Sequence, residues 1–221
     1  MKPVKLEPSV EVHRGLIAAT CRELYRRGWM EGTAGNVSTR SGEAVVISAS
    51  GCSKGQMSRQ DTVIVDGDSG LPLVGEVEWP SAETAIHLAI YQNIPDSGAV
   101  VHTHSPHATA LASLTAEANT LGYARFEELE LAKGLGVEDP NDVRVPVFPN
   151  WFEVQRIADE VSTYLKTQST QPPVLLIARH GVTTWGRDLE QARNRMECIE
   201  ALCHQLILTS AHTVQKMEDL R

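Results

Sequence analysis

The sequence predicts an α/β sandwich, a central sheet covered by helices, and three observations carry that prediction. Short β-branched, apolar runs such as Thr62–Asp66 and residues 174–178 are bounded by turn residues, as strands are. Longer segments with apolar residues every three to four positions are interspersed among them, as amphipathic helices would be. The turn Asp66-Gly67-Asp68-Ser69-Gly70 sends the chain back toward Leu73-Val74, so at least part of the sheet is antiparallel.

From Ser9 onward, Val12, Leu16, Ala19 or Thr20, and Leu24 recur at helical spacing, and Gly28 follows as a stop. Glu31-Gly32-Thr33-Ala34-Gly35-Asn36-Val37-Ser38 reads as a glycine-rich loop. Ala44–Ser48 is a strand closed by the polar turn Ser50-Gly51, and Thr62–Asp66 is the next. Pro80-Ser81-Ala82-Glu83-Thr84 has the form of a helix start, because serine can cap and a carboxylate in the first turn suits the helix dipole. That helix should run to about Tyr91. Residues 99–101 form an apolar strand leading into His102-Thr103-His104. Helices follow over 107–114 and 126–135, then a strand over 143–148 whose Pro146 marks an edge or a bulge. A helix over 153–164, a strand over 174–178 and a long closing helix over 189–212 complete the chain. There is no internal repeat and no low-complexity segment, and 221 residues read as one domain.

Composition narrows the function classes. With 42% hydrophobic and 22% charged residues the chain can bury a sizeable core. A net charge of −8 argues against a surface built to neutralise nucleic-acid phosphates, although it leaves room for one local phosphate pocket. Cys21, Cys52, Cys198 and Cys203 show no Cys-x-x-Cys spacing, so neither a disulfide framework nor a thiolate metal cage is expected. No stretch has the roughly 20 apolar residues of a membrane span, and residues 1–8 lack the apolar core of a signal peptide. The expectation is a cytoplasmic protein without a membrane partner.

The chemistry concentrates in the histidines. Alternate residues of a strand share a face, so His102 and His104 project together, roughly 6–7 Å apart at their origins. Such a pair is either a surface feature at a strand end or two thirds of a metal site, since a catalytic zinc usually keeps three protein ligands. Arg179-His180-Gly181 closes a second apolar strand and supplies a third imidazole. The loop containing Gly35-Asn36 fits both a plain turn and an anion cradle, in which glycines let backbone amides approach a phosphate. It matches neither the dinucleotide nor the Walker pattern. Ser50-Gly51 and Pro80-Ser81 add two serine-bearing turns, the second at a helix N-terminus, where anions are favoured. Cys52 has no basic or histidine partner suggested by the sequence and reads as packing. Trp79 and Trp185 read as core more than as the wall of a pocket. His87, His107, His204 and His212 lie on helical patterns and suit surface or packing roles.

Taken together, Gly35-Asn36, Ser50-Gly51, Pro80-Ser81-Ala82-Glu83, His102-Thr103-His104 and His180 resemble, in order and over nearly the whole chain, the class II aldolase/adducin family. The resemblance implies a three-layer α/β/α sandwich with a central, mainly antiparallel sheet, and a homotetramer with sites near subunit interfaces. It also implies one Zn2+ per subunit on His102, His104 and His180, and a sugar-phosphate substrate held at Gly35, Asn36, Ser50, Gly51 and Ser81. Leu129-Glu130-Leu131-Ala132-Lys133-Gly134 and residues 179–186 are most similar to the family's methylthioribulose-1-phosphate dehydratase branch. That branch implies a hydro-lyase of methionine salvage, with Glu130 as acid/base, converting 5-methylthioribulose 1-phosphate to 5-methylthio-2,3-dioxopentyl phosphate.

Two departures keep alternatives open. Family aldolases often have two hydroxyl residues before their glutamate, whereas here Ser81 is followed by Ala82. Glu83 stands where the aldolases place a metal ligand or base, so a sugar-phosphate aldolase or epimerase using Glu83, for fuculose or ribulose phosphate, is the alternative enzyme. A non-catalytic, adducin-like interaction domain is the alternative from another class. Outside the resemblance, Glu130 belongs with Glu127 and Glu128 to an acidic cluster of the kind that is usually solvated, and Glu83 could serve only the helix dipole.

Overall fold

Alternating polarity folds this chain into one sheet with an apolar core on each face. The computed structural model describes residues 10–73, 76, 78–116, 119–168 and 172–210. In chain order it contains α1 (Val10–Arg26), β1 (Asn36–Ser41), β2 (Ala44–Ser48), β3 (Thr62–Asp66), α2 (Thr84–Asn93), β4 (Ala99–Thr103), α3 (Pro106–Thr115), β5 (Gly122–Glu127), β6 (Asp142–Phe148), α4 (Val154–Thr167), β7 (Val174–Ile177), β8 (Gly181–Gly186) and α5 (Leu189–Ser210).

The strands form one eight-stranded sheet in the order β3-β2-β1-β4-β8-β7-β6-β5. Every pairing is antiparallel except β6 with β7. On β4, Ala99 and Val101 enter the core shared with α1, α3 and α5, while Val100 enters the core shared with α2 and α4. Period-two alternation thus sends His102 to the α2 face with Val100. The same rule places Asn36 and Ser38 of β1 on that face, opposite Val37, and Thr183 of β8 there opposite Val182. This is the expected three-layer α/β/α sandwich with a mainly antiparallel sheet.

Several local expectations need correction. The buried side of α1 is Val10, Ile17, Cys21 and Leu24, whereas Val12 and Leu16 are exposed, so the helix is rotated from the face first read. Ser9 and residues 211–212 lie outside the described residues. Asn36-Val37-Ser38 are the start of β1, not loop. The expected helix over 126–135 divides into the end of β5, which contains Phe126, and a 3-10 turn, Glu130–Leu135. Residues 181–186 form β8. Pro146 is on neither an edge strand nor a paired bulge: β6 is second from the edge, and its short ladder with β7 covers only Val147 and Phe148. Pro146 itself is opposite Tyr123 in the unbroken β5–β6 register, and the ladder with β7 begins only at Val147.

Candidate metal centre and anion loops

Strand pairing assembles the site from distant parts of the sequence. Antiparallel pairing of β4 with β8 sets His102 opposite Thr183, and the β7–β8 hairpin turn carries His180 to the same end of the sheet. Arg179 in that turn has a left-handed backbone (φ 55°), an uncommon conformation for a residue with a Cβ. His104 lies just beyond β4, with its backbone N–H donated to the Trp29 carbonyl at 3.0 Å. The rings of His102, His104 and His180 are 4.8 to 5.1 Å apart, centre to centre, and nearly perpendicular to one another.

Glu83, immediately before α2, completes the cluster. Each of Glu83, His102, His104 and His180 offers one ligand atom, and these atoms all lie within 4.8 Å of one another. Glu83 Oε1 is 2.5 Å from His180 Nε2, and Oε2 is 3.3 Å from His102 Nε2. His102 Nε2 is nevertheless buried without a hydrogen-bond partner, while Nδ1 of the same ring lies 3.0 Å from Thr183 Oγ1. A histidine ligand commonly has one nitrogen turned to the ion while the other donates to an oxygen that fixes the tautomer. His102 has that arrangement.

Electrostatics point the same way. Burial pushes His102 down to about 3, against the attraction of Glu83, and also lowers His104, so both rings stay neutral with lone pairs to give. Burial alone would raise the Glu83 carboxyl, but His102, His180 and the Asn36 amide outweigh it and hold the group well below the usual carboxylate range. Neutral imidazoles around a carboxylate suit a divalent first-row ion, and the donor set fits zinc.

The glycine- and serine-bearing loops adjoin the cluster. Asn36 pairs directly with His102 in the sheet. Gly35 has φ 73°, and a Cβ there would sit 2.7 Å from Met30 Cγ and 3.0 Å from the His102 carbonyl, so glycine is required for the loop to lie against β4. An Ala49–Pro80 bridge and the Ser50 N–H bond to Trp79 carbonyl (2.8 Å) bring the turn containing Ser50 and Gly51 beside Ser81. Ser81 Oγ accepts the Glu83 N–H at 3.2 Å. The Asn36 side chain, in contrast, is engaged by Glu83 and His87.

Glu130 is elsewhere within this chain. Its side chain is 83% exposed and pairs with Lys133 at 2.8 Å, outside the four-residue cluster. Trp185 is core as expected, but Trp79 is exposed.

Two residues escaped the sequence reading. Lys54 is 1% exposed, donates to the Thr33 and Cys52 carbonyls at 3.2 and 3.1 Å, and lies 3.8 Å from Cys52 Sγ. Cys52 therefore does have a basic neighbour, and Lys54 ties the glycine-rich loop to the turn after β2. His87 is wholly buried on α2 and bonds Ser38 and Asn36. Its spacing from Glu83, one helical turn, was the available signal.

Comparison with known proteins agrees with this architecture. Residues 15–207 match the model of the Class II Aldolase and Adducin N-terminal domain. A Nocardia farcinica protein named "Probable bifunctional methylthioribose-1-phosphate isomerase/methylthioribulose-1-phosphate dehydratase" is 50% identical over 193 residues, 87% of this chain; the match spans only 35% of that longer relative. A Microcystis aeruginosa protein named methylthioribulose-1-phosphate dehydratase is 40% identical over 201 residues, covering 86% of this chain and 93% of the relative. Among solved structures, an L-fuculose 1-phosphate aldolase superposes with a TM-score of 0.74 at 22% identity, covering 96% of this chain and 93% of that one. The L-fuculose-1-phosphate aldolase of Thermus thermophilus gives 0.70 at 22% identity, with 92% and 98% covered. This chain belongs to the class II aldolase and adducin family.

Proposed function

We propose that this protein is a hydro-lyase that dehydrates 5-methylthioribulose 1-phosphate to 5-methylthio-2,3-dioxopentyl phosphate, a step of methionine salvage. The observation that carries the reading is the His102, His104, His180 and Glu83 donor set beside serine and glycine loops, in a chain 40% identical to a named dehydratase over 86% of this chain and 93% of that relative. The intact donor set also argues against a purely adducin-like interaction domain, which has no use for it.

His102, His104 and His180 hold the zinc ion in this proposal, one per subunit. When bound, the ion supplies Lewis acidity at the substrate's C2 carbonyl, which acidifies the C3 proton. Gly35, Ser50, Gly51 and Ser81 fix the phosphate through backbone amides and hydroxyls. Asn36, also expected there, has its side chain turned to Glu83 and His87. A carboxylate takes the C3 proton, the C4 hydroxyl leaves as water with a proton from a carboxylic acid, and the enol ketonises at C3 with protonation at C4.

Two carboxylates are candidates for these transfers. Glu83 lies in the cluster of its own chain. Glu130, exposed on a 3-10 turn, is assigned to the centre of a neighbouring subunit in the homotetramer that the family resemblance implies. The cytoplasm is the proposed location, with no nucleic-acid or membrane partner.

The position of Glu83 specifically favours a second reading, a sugar-phosphate aldolase or epimerase in which Glu83 alone moves the proton. A substrate panel separates the two. The proposal expects diketone formation from methylthioribulose 1-phosphate and negligible cleavage or epimerisation of fuculose or ribulose phosphates. Turnover of the latter sugars without diketone formation would establish the second reading.

A further inference from the structure

We propose that His87 is a positioning residue, the centre of a one-way hydrogen-bond chain from Tyr91 through Ser38, His87 and Asn36 that fixes the carboxylate of Glu83 in the cluster. The links are Tyr91 Oη to Ser38 Oγ at 2.8 Å, Ser38 Oγ to His87 Nδ1 at 2.7 Å, and His87 Nε2 to Asn36 Oδ1 at 2.6 Å, and the last runs from Asn36 Nδ2 to Glu83 Oε2. His87 and Ser38 are fully buried, and Asn36 and Tyr91 are nearly so. Water is therefore not the default partner for any of them.

Satisfying every buried donor sets the direction of each bond. Among the described residues, Ser38 Oγ is the one hydrogen-bond partner of the buried Tyr91 hydroxyl, so the phenol proton must go to Ser38. Ser38 Oγ, having accepted that proton, donates its own to His87 Nδ1. His87 is then the neutral tautomer with hydrogen on Nε2, which donates to the Asn36 carbonyl oxygen. The Asn36 amide is left with its N–H pointing at Glu83. Reversing the chain would turn Ser38 toward Tyr91 and leave the buried phenol proton without an acceptor, at the cost of a desolvated donor. Burial lowers the His87 imidazole to about 4, which keeps it neutral as the chain requires.

Bonds aligned in one direction polarise each other, so the amide offered to Glu83 is a better donor than an isolated asparagine. It also holds the carboxylate in register with His102 and His180 without touching substrate. His87 thus acts through Asn36, and Ser38 and Tyr91 act through His87.

The kinetic arm of the test rests on the dehydratase reading; the spectroscopic arm does not. Nitrogen-15 spectra of histidine-labelled protein, metal-free and zinc-loaded, should show His87 with hydrogen on Nε2 and a bare, hydrogen-bonded Nδ1. That state should persist across the pH range in which an ordinary histidine titrates. In Ser38→Ala the tautomers should mix, and kcat should fall about tenfold with KM little changed. His87→Leu should lose at least as much, and His87→Gln, which keeps a donor toward Asn36, should recover part of the loss. An Nδ1–H tautomer, a His87 that titrates like a free imidazole, or His87→Leu with wild-type kcat would overturn the proposal. If the wild-type protein fails to turn over the pentulose phosphate, the dehydratase reading falls and the tautomer spectrum still decides the chain.

Discussion

Replacing Gly181 with alanine tests how the sheet sets the metal centre. Gly181 opens β8 opposite the end of β4, and an added Cβ would lie 2.2 Å from the Thr103 carbonyl oxygen and 3.2 Å from His102 Cε1. The obstructing oxygen is backbone, so no side chain can swing away. Reaching even a 3.0 Å contact requires β4 and β8 to part by roughly 0.8 Å at this point. The parting separates His102 and His104, carried by β4, from His180, carried by the turn before β8. Metal sites tolerate ligand displacements of about 0.2 Å, so the displacement exceeds the tolerance several-fold. The expected costs are about 1–3 kcal/mol of stability from overpacking and at least a tenfold loss of zinc affinity, ~1.4 kcal/mol. Urea unfolding and competitive zinc titration measure the two losses. Gly122→Ala serves as a control, because its Cβ would meet nothing closer than 3.4 Å. Gly181→Ala with wild-type zinc affinity would refute the claim that the β4–β8 contact sets the ligand geometry.

Thr183→Val removes the oxygen 3.0 Å from His102 Nδ1 and should weaken zinc binding about 10- to 100-fold with little change in fold, read by competition with a chromophoric chelator; unchanged affinity would show that the hydroxyl does not orient the ring. The metal-free protein should lose stability in acid. His87 has an ordinary value of 6.5 unfolded and about 4 folded, so the unfolded chain binds the extra proton and stability is lost as pH falls through that window, by up to ~3 kcal/mol. Urea midpoints across the window check this, and His87→Gln should reduce the slope, leaving the share of His102 and His104; an unchanged slope would remove His87 as a source. Glu130→Gln and His102→Ala chains, each inactive alone, should regain about a quarter or more of wild-type activity when unfolded and reassembled together, if Glu130 serves a neighbouring subunit's centre; no recovery in mixed oligomers of confirmed composition would sink that assignment.

What the sequence made legible follows from which interactions are local. His102 and His104 could be paired because strand alternation is a rule of adjacent residues, and both do reach the cluster. The three-layer sandwich followed from apolar periodicity together with the family resemblance. β1 was missed because Asn36, Ser38, Thr39 and Ser41 are polar yet buried, the first two being turned to the site and not to solvent. Only the last two residues of β5, Phe126 and Glu127, were read into a helix, although Ala124 and Phe126 alternate inward, since the acidic run that follows masked the strand's end. Glu83 was ambiguous between helix dipole and chemistry until the β7–β8 turn placed His180 against it, a contact between residues 97 positions apart. Lys54 and His87 were not assigned because Thr33 and Asn36, which they bond, come from other parts of the chain, and the spacing of His87 from Glu83 marks only a shared helix face.

The central claim is that a metal held by His102, His104 and His180 is required for water loss from a methylthiopentulose phosphate. Measuring zinc content and diketone formation on the same samples, from chelator-stripped to fully reloaded, tests it most directly. Activity should rise in proportion to bound zinc, saturate at one ion per chain, and be absent from His102→Ala at every zinc level. Full diketone formation by the stripped protein, or by His102→Ala, would contradict the account.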